Sequence, residues 1–193
     1  MKKTRVVLIA LAAALLPWSM NVHASDPQAL IDALKAGGKV IMMRHASTEA
    51  AEPAVSMTLG ANCSEEQNLS PEGKAEAMAI AESFKKHGIQ IDKVYSSEFC
   101  RARDTAQIAF GGAESWAALN LAESMDASES AFLMLDVQEK LGDFSGKGNL
   151  VMITHRSNIN TIVFQQTDAG DMVVINPDGV EVLGVLKAEQ LSH

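Results

Sequence analysis

The chain has 193 residues, of which 47% are hydrophobic and 21% are charged, and its formal net charge at pH 7 is −8. This length suits a single domain with a substantial core. The acidic balance argues against nucleic acid or an anionic membrane surface as the main partner, because both repel a negatively charged protein. An anionic ligand would need a local concentration of positive charge.

The first 24 residues have the pattern of a signal peptide. Three basic residues precede an apolar run over residues 6–16, and the sequence "VHA" ends at Ala24 in the small-residue pattern of a cleavage site. The run is shorter than the roughly 20 apolar residues of a membrane-spanning helix, so we expect no stable membrane anchor. Cleavage after Ala24 would leave residues 25–193 as one exported domain, periplasmic or secreted, with a net charge of −11. The alternative is a retained N-terminal helix.

Predicted helices and apolar strands alternate along the rest of the chain. Helices are predicted where an acidic or hydroxyl cap precedes proline and where glycine follows a periodic segment. The predicted helices cover residues 26–37, 70–88, 101–111, 128–143 and 157–166, and the predicted strands cover residues 39–43, 91–97, 148–154, 171–175 and 180–187. Continuous apolar strands between helices predict an α/β fold, a three-layer α/β/α sandwich with a largely parallel central sheet. The last two strands flank a turn at residues 176–179 and predict a C-terminal β-hairpin.

One long segment, Thr48 to Leu69, has no hydrophobic period and contains Pro53, Gly60 and Asn62. Connections of this length in compact domains are uncommon and are often functional. We therefore expect a binding loop or lid here.

Positive charge is concentrated at the ends of three predicted strands. The arginines of residues 25–193 all lie just beyond those ends: Arg44, Arg101, Arg103 and Arg156. His45 follows Arg44 directly, and His155 precedes Arg156. Ligands of open α/β sheets bind beyond the carboxyl ends of the strands, so this pattern predicts one functional site.

The residue types at these strand ends indicate an anionic ligand. Guanidinium groups match phosphate or carboxylate, and neighbouring cations lower the pKa of a histidine, which keeps the imidazole neutral and nucleophilic. The sequence has no H-x-x-x-H or C-x-x-C spacing, P-loop or G-x-S-x-G segment. We therefore expect no metal and no cofactor. A metal-dependent hydrolase remains the alternative that a chelator would test.

Four segments resemble the motifs of the histidine phosphatase superfamily, the phosphoglycerate-mutase-like clan. They are "MRHAST", "NLSPEGKAEA", "VYSSEFCRARDTA" and "VMITHRSNI", which occur in the family's order between residues 39 and 165. The chain is similar to the short exported members, among them lipopolysaccharide core heptose phosphatases. The resemblance implies a phosphomonoesterase for a small phosphorylated substrate, with a sugar phosphate of the cell envelope as one candidate class.

The resemblance also implies roles for individual residues. His45 would be the nucleophile that becomes phosphohistidine, and Arg44, Arg101 and His155 would hold the phosphoryl oxygens. The proton donor would be Glu123, with Asp126 as the alternative, and Thr48 would bind substrate. Arg156 stands where the family commonly has a small residue, and it would either bind substrate or point outward in an ion pair. Arg103 is expected to face away from the site.

The two cysteines, Cys63 and Cys100, can be a disulfide or two free thiols on the sequence alone. The resemblance to exported members implies the disulfide. Besides Arg156, two positions depart from the family pattern: Ala46 replaces a usual glycine, and Glu98 replaces a frequent proline. These departures keep a second hypothesis open, a catalytically degenerate module that only binds phosphoanions.

Overall fold

The computed structural model describes residues 26–192, so the predicted signal peptide lies outside the described residues. Its six strands are β1 (Val40–Arg44), β2 (Ile91–Ser96), β3 (Glu114–Ser115), β4 (Asn149–Thr154), β5 (Met172–Asn176) and β6 (Glu181–Leu186). They form one sheet in the order β3-β2-β4-β1-β5-β6. The first four strands are parallel, and β5 and β6 are antiparallel. The predicted parallel centre and C-terminal hairpin are confirmed.

Helices cover both faces of this sheet. They are α1 (Pro27–Ala36), α2 (Pro53–Met57), α3 (Pro71–His87), α4 (Cys100–Phe110), α5 (Ala127–Asp143) and α6 (Arg156–Val163). Side chains of a strand alternate between faces. Ile41 and Met43 accordingly pack with residues of α1, α3 and α4, whereas Val40 and Met42 pack with residues of α5 and α6. The predicted three-layer sandwich is confirmed.

The helix bounds follow the capping residues that the sequence shows. The Asp26 side chain accepts a hydrogen bond from the backbone N–H of Gln28, and the Ser70 side chain accepts one from that of Gly73. Each cap satisfies one of the backbone donors that a helix start leaves unpaired. Helix α3 ends at Gly88, which adopts a left-handed conformation with φ of 68°.

Three features differ from the sequence-based expectation. The predicted loop contains α2, and a bridge between Thr48 and Leu69 closes its base. Helix α6 ends at Val163 rather than residue 166, because Phe164 adopts a left-handed backbone with φ of 57°. Strand β3 is a two-residue edge strand that the sequence does not predict. No helix within residues 26–192 is both long and apolar enough to cross a membrane.

Candidate active site

The two strand-end histidines lie side by side in the structure. Strands β1 and β4 are parallel neighbours that pair Arg44 with Thr154, so the residues that follow them share one edge of the sheet. The His45 backbone N–H donates to the Thr154 carbonyl oxygen at 3.1 Å. The ring centroids of His45 and His155 are 5.3 Å apart in an edge-to-face arrangement. Residues 110 positions apart in sequence therefore form one site.

The environment of His45 makes it a neutral base. Its Nδ1 atom lies 2.9 Å from the Ala46 carbonyl oxygen. A carbonyl can only accept, so Nδ1 carries the proton and Nε2 keeps a free lone pair. Burial, together with the charges of Arg101 and Arg44, lowers the pKa of His45 to about 3. At neutral pH the ring is uncharged, and Nε2 is available as a nucleophile.

His155 is also held neutral. Its side chain is 2% exposed. Burial lowers its pKa well below the ordinary value, and the neighbouring His45, Arg101 and Arg44 lower it further. Its two ring nitrogens lie at hydrogen-bond distance from Ser97 Oγ (2.9 Å) and Arg101 Nη2 (3.3 Å).

Two arginines present buried donors that have no partner among residues 26–192. Arg44 Nη1 donates to the Thr167 carbonyl oxygen at 3.1 Å, but Arg44 Nε is buried and unpaired. Arg101 Nη2 donates to the Ser56 carbonyl oxygen at 3.0 Å, while Arg101 Nη1 is buried and unpaired. Leaving a buried charged donor unpaired costs about 1–3 kcal/mol or more. An anion bound beside His45 would satisfy both donors.

Both guanidinium groups remain charged at neutral pH. Burial lowers the pKa of Arg101 to about 10, although the carboxylate of Glu66 opposes that shift. Burial and the charge of Arg156 lower the pKa of Arg44. The site therefore combines two neutral imidazoles with fixed positive charge, which the sequence analysis anticipates from the clustering of arginines.

All seven predicted site residues line a single cavity of about 290 Å³. The cavity is lined by Arg44, His45, Thr48, Ser56, Gln67, Arg101, Leu121, Glu123, His155, Arg156 and Ser157. A larger cavity of about 620 Å³ lies beside Ser47. That cavity is lined by four acidic residues and one cation: Glu76, Asp168, Asp171, Glu189 and Lys187. Lys187 already pairs with Asp168 and Asp171, and the excess of negative charge makes the cavity unsuitable for a phosphate.

The structure separates the two candidate proton donors. Glu123 lines the cavity, and its Oε2 accepts a hydrogen bond from Ser157 Oγ at 2.8 Å. Asp126 instead caps α5 by accepting from the backbone N–H groups of Ser128 and Glu129. Hydrogen bonding to the Ser128 side chain and the Glu129 backbone lowers the pKa of Asp126, which favours the ionised carboxylate and leaves it without the proton that a donor must supply. The geometry favours Glu123.

The structure also shows the surroundings of Arg103 and Ala46. Arg103 is exposed and lines a different cavity with Ser96 and Asp104. Ala46 does not adopt a positive φ, so its replacement of glycine causes no backbone strain. The Ala46 N–H donates to Thr105 Oγ1 at 3.1 Å, which ties the turn after His45 to α4.

Close packing also holds the turn that follows His45. A side-chain carbon at Gly73 would lie 1.8 Å from the Ser47 carbonyl oxygen. Glycine at this position lets the first turn of α3 approach the turn. Ser47 additionally donates through its backbone N–H and its hydroxyl to the Glu76 carboxylate, at 2.8 and 2.9 Å.

The long loop is fastened to the helix that carries Arg101. Cys63 and Cys100 form a disulfide with a Cα–Cα distance of 5.6 Å, as the resemblance implies. The Glu66 carboxylate accepts from the Cys100 backbone N–H at 2.8 Å. It thereby caps α4, whose own N-cap residue, Phe99, makes no side-chain cap. The role of Glu66 could not be predicted from the sequence, because a glutamate within a polar loop carries no distinctive signal.

Acidification is expected to destabilise the protein through the two buried histidines. Unfolded imidazoles take up a proton near pH 6.5, whereas His45 resists protonation down to about pH 3. The unfolded state therefore binds more protons in this window, and stability falls as pH falls. Between about pH 7 and pH 5.5, the shift at His45 should cost about 1 kcal/mol of unfolding free energy, and His155 should act in the same direction. Urea denaturation at both pH values tests this, and the loss in His45→Gln should be smaller by about 1 kcal/mol than in the parent. An equal loss would contradict the expected neutrality of His45.

Comparisons with known proteins agree with this geometry. Residues 40–126, which include His45, Arg101 and Glu123, match the sequence model of the histidine phosphatase superfamily, branch 1. No curated protein matches the sequence. Among solved structures, the protein histidine phosphatase SixA in complex with tungstate has a TM-score of 0.56 and 17% identity, over 79% of this chain and 99% of that chain. The chain has the histidine phosphatase fold.

A second structure with this fold is a phosphoserine phosphatase variant from Entamoeba histolytica in complex with phosphoserine. Its TM-score is 0.54 and its identity is 16%, over 79% of this chain and 98% of that chain. The family match covers less than half of the chain, and the solved structures show the shared fold. The family match ends before His155, so it is the structure that joins this second histidine to His45.

Proposed function

We propose that this histidine phosphatase homologue is a phosphomonoesterase that forms a phosphohistidine on His45. The observation that carries the proposal is the free Nε2 lone pair of His45 in the same cavity as the buried, unpaired donors of Arg44 and Arg101. A phosphoryl group in that cavity would meet the nucleophile and satisfy both donors. The bound oxyanions of the two neighbours, tungstate and phosphoserine, support an oxyanion site in this fold.

The reaction would proceed in two transfers. His45 Nε2 attacks phosphorus, the ester P–O bond breaks, and Glu123 gives its proton to the leaving alkoxide. Water then attacks the phosphohistidine, Glu123 takes a proton from that water, and the N–P bond breaks to release phosphate. Arg44 and Arg101 would stabilise the charge on the phosphoryl oxygens in both steps, and preorganised donors of this kind usually supply the largest share of catalysis.

The lining of the cavity favours a small polar leaving group. Beyond the residues assigned to the phosphoryl group, it offers Thr48, Gln67 and Ser157 as neutral hydrogen-bonding groups, with Arg156 as an exposed cation. Within the part of the chain that the structure describes, no aromatic side chain other than the two histidines lines it. These residues therefore offer no surface on which a nucleobase or aryl group could stack. A sugar phosphate fits this chemistry. Export after Ala24 would make a sugar phosphate of the cell envelope accessible, as in the heptose phosphatases that the sequence resembles.

A phosphate-release assay with a chelator present tests this function. The purified protein should release phosphate from small sugar phosphates at a higher kcat/KM than from aryl or nucleoside monophosphates. EDTA should leave the rate unchanged if His45 rather than a metal supplies the nucleophile. Arg103→Ala provides a matched control, because it removes an arginine of α4 that lies outside the cavity. Tight binding of inorganic phosphate without hydrolysis of any ester would instead support the phosphoanion-binding module.

A further inference from the structure

Glu98, the acid that replaces a frequent family proline, turns towards Asn120 and does not line the cavity. Asn120 Nδ2 donates to Glu98 Oε2 at 2.8 Å, and the Glu98 backbone N–H donates to Asn120 Oδ1 at 2.8 Å. A backbone N–H can only donate and a carboxylate can only accept, so these two bonds fix the orientation of the amide. Glu98 and Asn120 therefore form a rigid pair beside the site.

The fixed amide determines the direction of the next hydrogen bonds. Asn120 Oδ1 lies 3.1 Å from Ser97 Oγ, which has one proton to donate. Ser97 Oγ also accepts from the Phe99 backbone N–H at 3.2 Å and lies 2.9 Å from His155 Nε2. If the hydroxyl proton goes to Asn120, His155 must carry its own proton on Nε2 and donate it to Ser97.

The other side of the His155 ring requires the same tautomer. Arg101 Nη2 lies 3.3 Å from His155 Nδ1, and a guanidinium group can only donate, so Nδ1 must be the unprotonated acceptor. The opposite tautomer would place two N–H groups against each other. Ser97, Asn120 and His155 are each at most 5% exposed, so water has little access to replace a lost partner.

We propose that Glu98 and Asn120 are positioning residues that act through Ser97 on His155 and, through His155, on Arg101. The chain of hydrogen bonds runs from the Glu98 carboxylate to Arg101 Nη2 and so sets the direction of the guanidinium whose Nη1 is unpaired. Neither residue needs to touch substrate. This inference rests on the proposed phosphatase activity only for its kinetic effect, because the tautomer exists without substrate.

Nitrogen-15 NMR of the histidine rings tests the arrangement directly in the resting parent protein. His155 should show a protonated Nε2 and an unprotonated Nδ1. In Asn120→Ala the Ser97 hydroxyl loses its acceptor and is free to donate to Nε2. Only Arg101 then opposes the protonated Nδ1 form, which should become populated beside the parent form. Glu98→Gln keeps a side-chain acceptor for Asn120 Nδ2 and should retain the parent tautomer. Glu114→Gln, an exposed carboxylate paired with Lys93, is the charge-matched control.

The kinetic readout separates positioning from a general loss of stability. Asn120→Ala should lower kcat about tenfold with a smaller change in KM, the size expected for one lost hydrogen bond in the site. Glu98→Gln should stay within about threefold of the parent, because the acceptor is rescued. A protonated Nδ1 in the parent would overturn the proposal, as would an Asn120→Ala protein that retains both the parent tautomer and the parent kcat. If the parent protein hydrolyses no ester, the proposed phosphatase activity is refuted, and the tautomer of His155 can still be determined by NMR.

Discussion

Replacement of His45 by glutamine is expected to lower kcat for phosphate release by at least about 10³-fold, because the variant has no nucleophile to carry the phosphoryl group. Glutamine is close to histidine in size and polarity, so the buried site should keep its shape. Binding of inorganic phosphate should persist, since the two arginines that would hold it are unchanged. Initial rates, together with a phosphate-binding titration, measure the two effects separately.

A matched control distinguishes the loss of this particular imidazole from the loss of any histidine. His87 is the last residue of α3 and lies at the opposite end of the helix from the first turn, which packs against Ser47. His87→Gln should therefore keep the parent kcat. If His45→Gln retained a substantial fraction of the parent rate, another group would have to be the nucleophile. The Nε2 lone pair of His45 would then have no role in catalysis.

Replacement of Arg101 by alanine is expected to lower kcat/KM by about 10²- to 10³-fold, which is the usual effect of removing one preorganised donor from a charge-stabilising site. The guanidinium is 2% exposed and has one unpaired buried nitrogen, so its charge is directed at the cavity rather than at solvent. Arg101→Lys should recover only part of the loss, because an ammonium group cannot reproduce the planar fork.

The control for this prediction lies on the same helix. Arg103 is two residues away and is exposed outside the cavity. The kcat/KM of Arg103→Ala should therefore remain close to that of the parent protein. Thermal denaturation of each variant shows whether the fold is intact. Equal losses in the two arginine variants would indicate a general effect of positive charge and would contradict a specific role for Arg101.

The sequence was sufficient to predict the centre of the sheet and the meeting of two strand-end histidines for a physical reason. The strands are continuous apolar runs, and their helices begin and end at capping residues that local chemistry explains. Parallel strands bring their carboxyl ends to one edge, so arginines and histidines at those ends must meet. The convergence of His45 and His155 could therefore be inferred without coordinates.

The residues that support the site could not be predicted in the same way. Glu66 and Asn120 act through tertiary hydrogen bonds to Cys100 and Ser97, which are 34 and 23 residues away in sequence. A lone carboxylate or amide in a loop has no period and no motif, so nothing local marks it. The same reasoning explains why the choice between Glu123 and Asp126 required the structure, which shows that Asp126 is used as a helix cap.

The most direct test of the account is the isolation of a covalent intermediate. The parent protein should be mixed with a phosphorus-32-labelled ester, quenched in alkali within a turnover and digested for mass spectrometry. The account predicts a phosphoryl group that is stable to base and labile to acid, on His45, and its absence from His45→Gln treated in the same way. Turnover by the parent with no phosphoryl group on any histidine, or with the group on another residue, would contradict it.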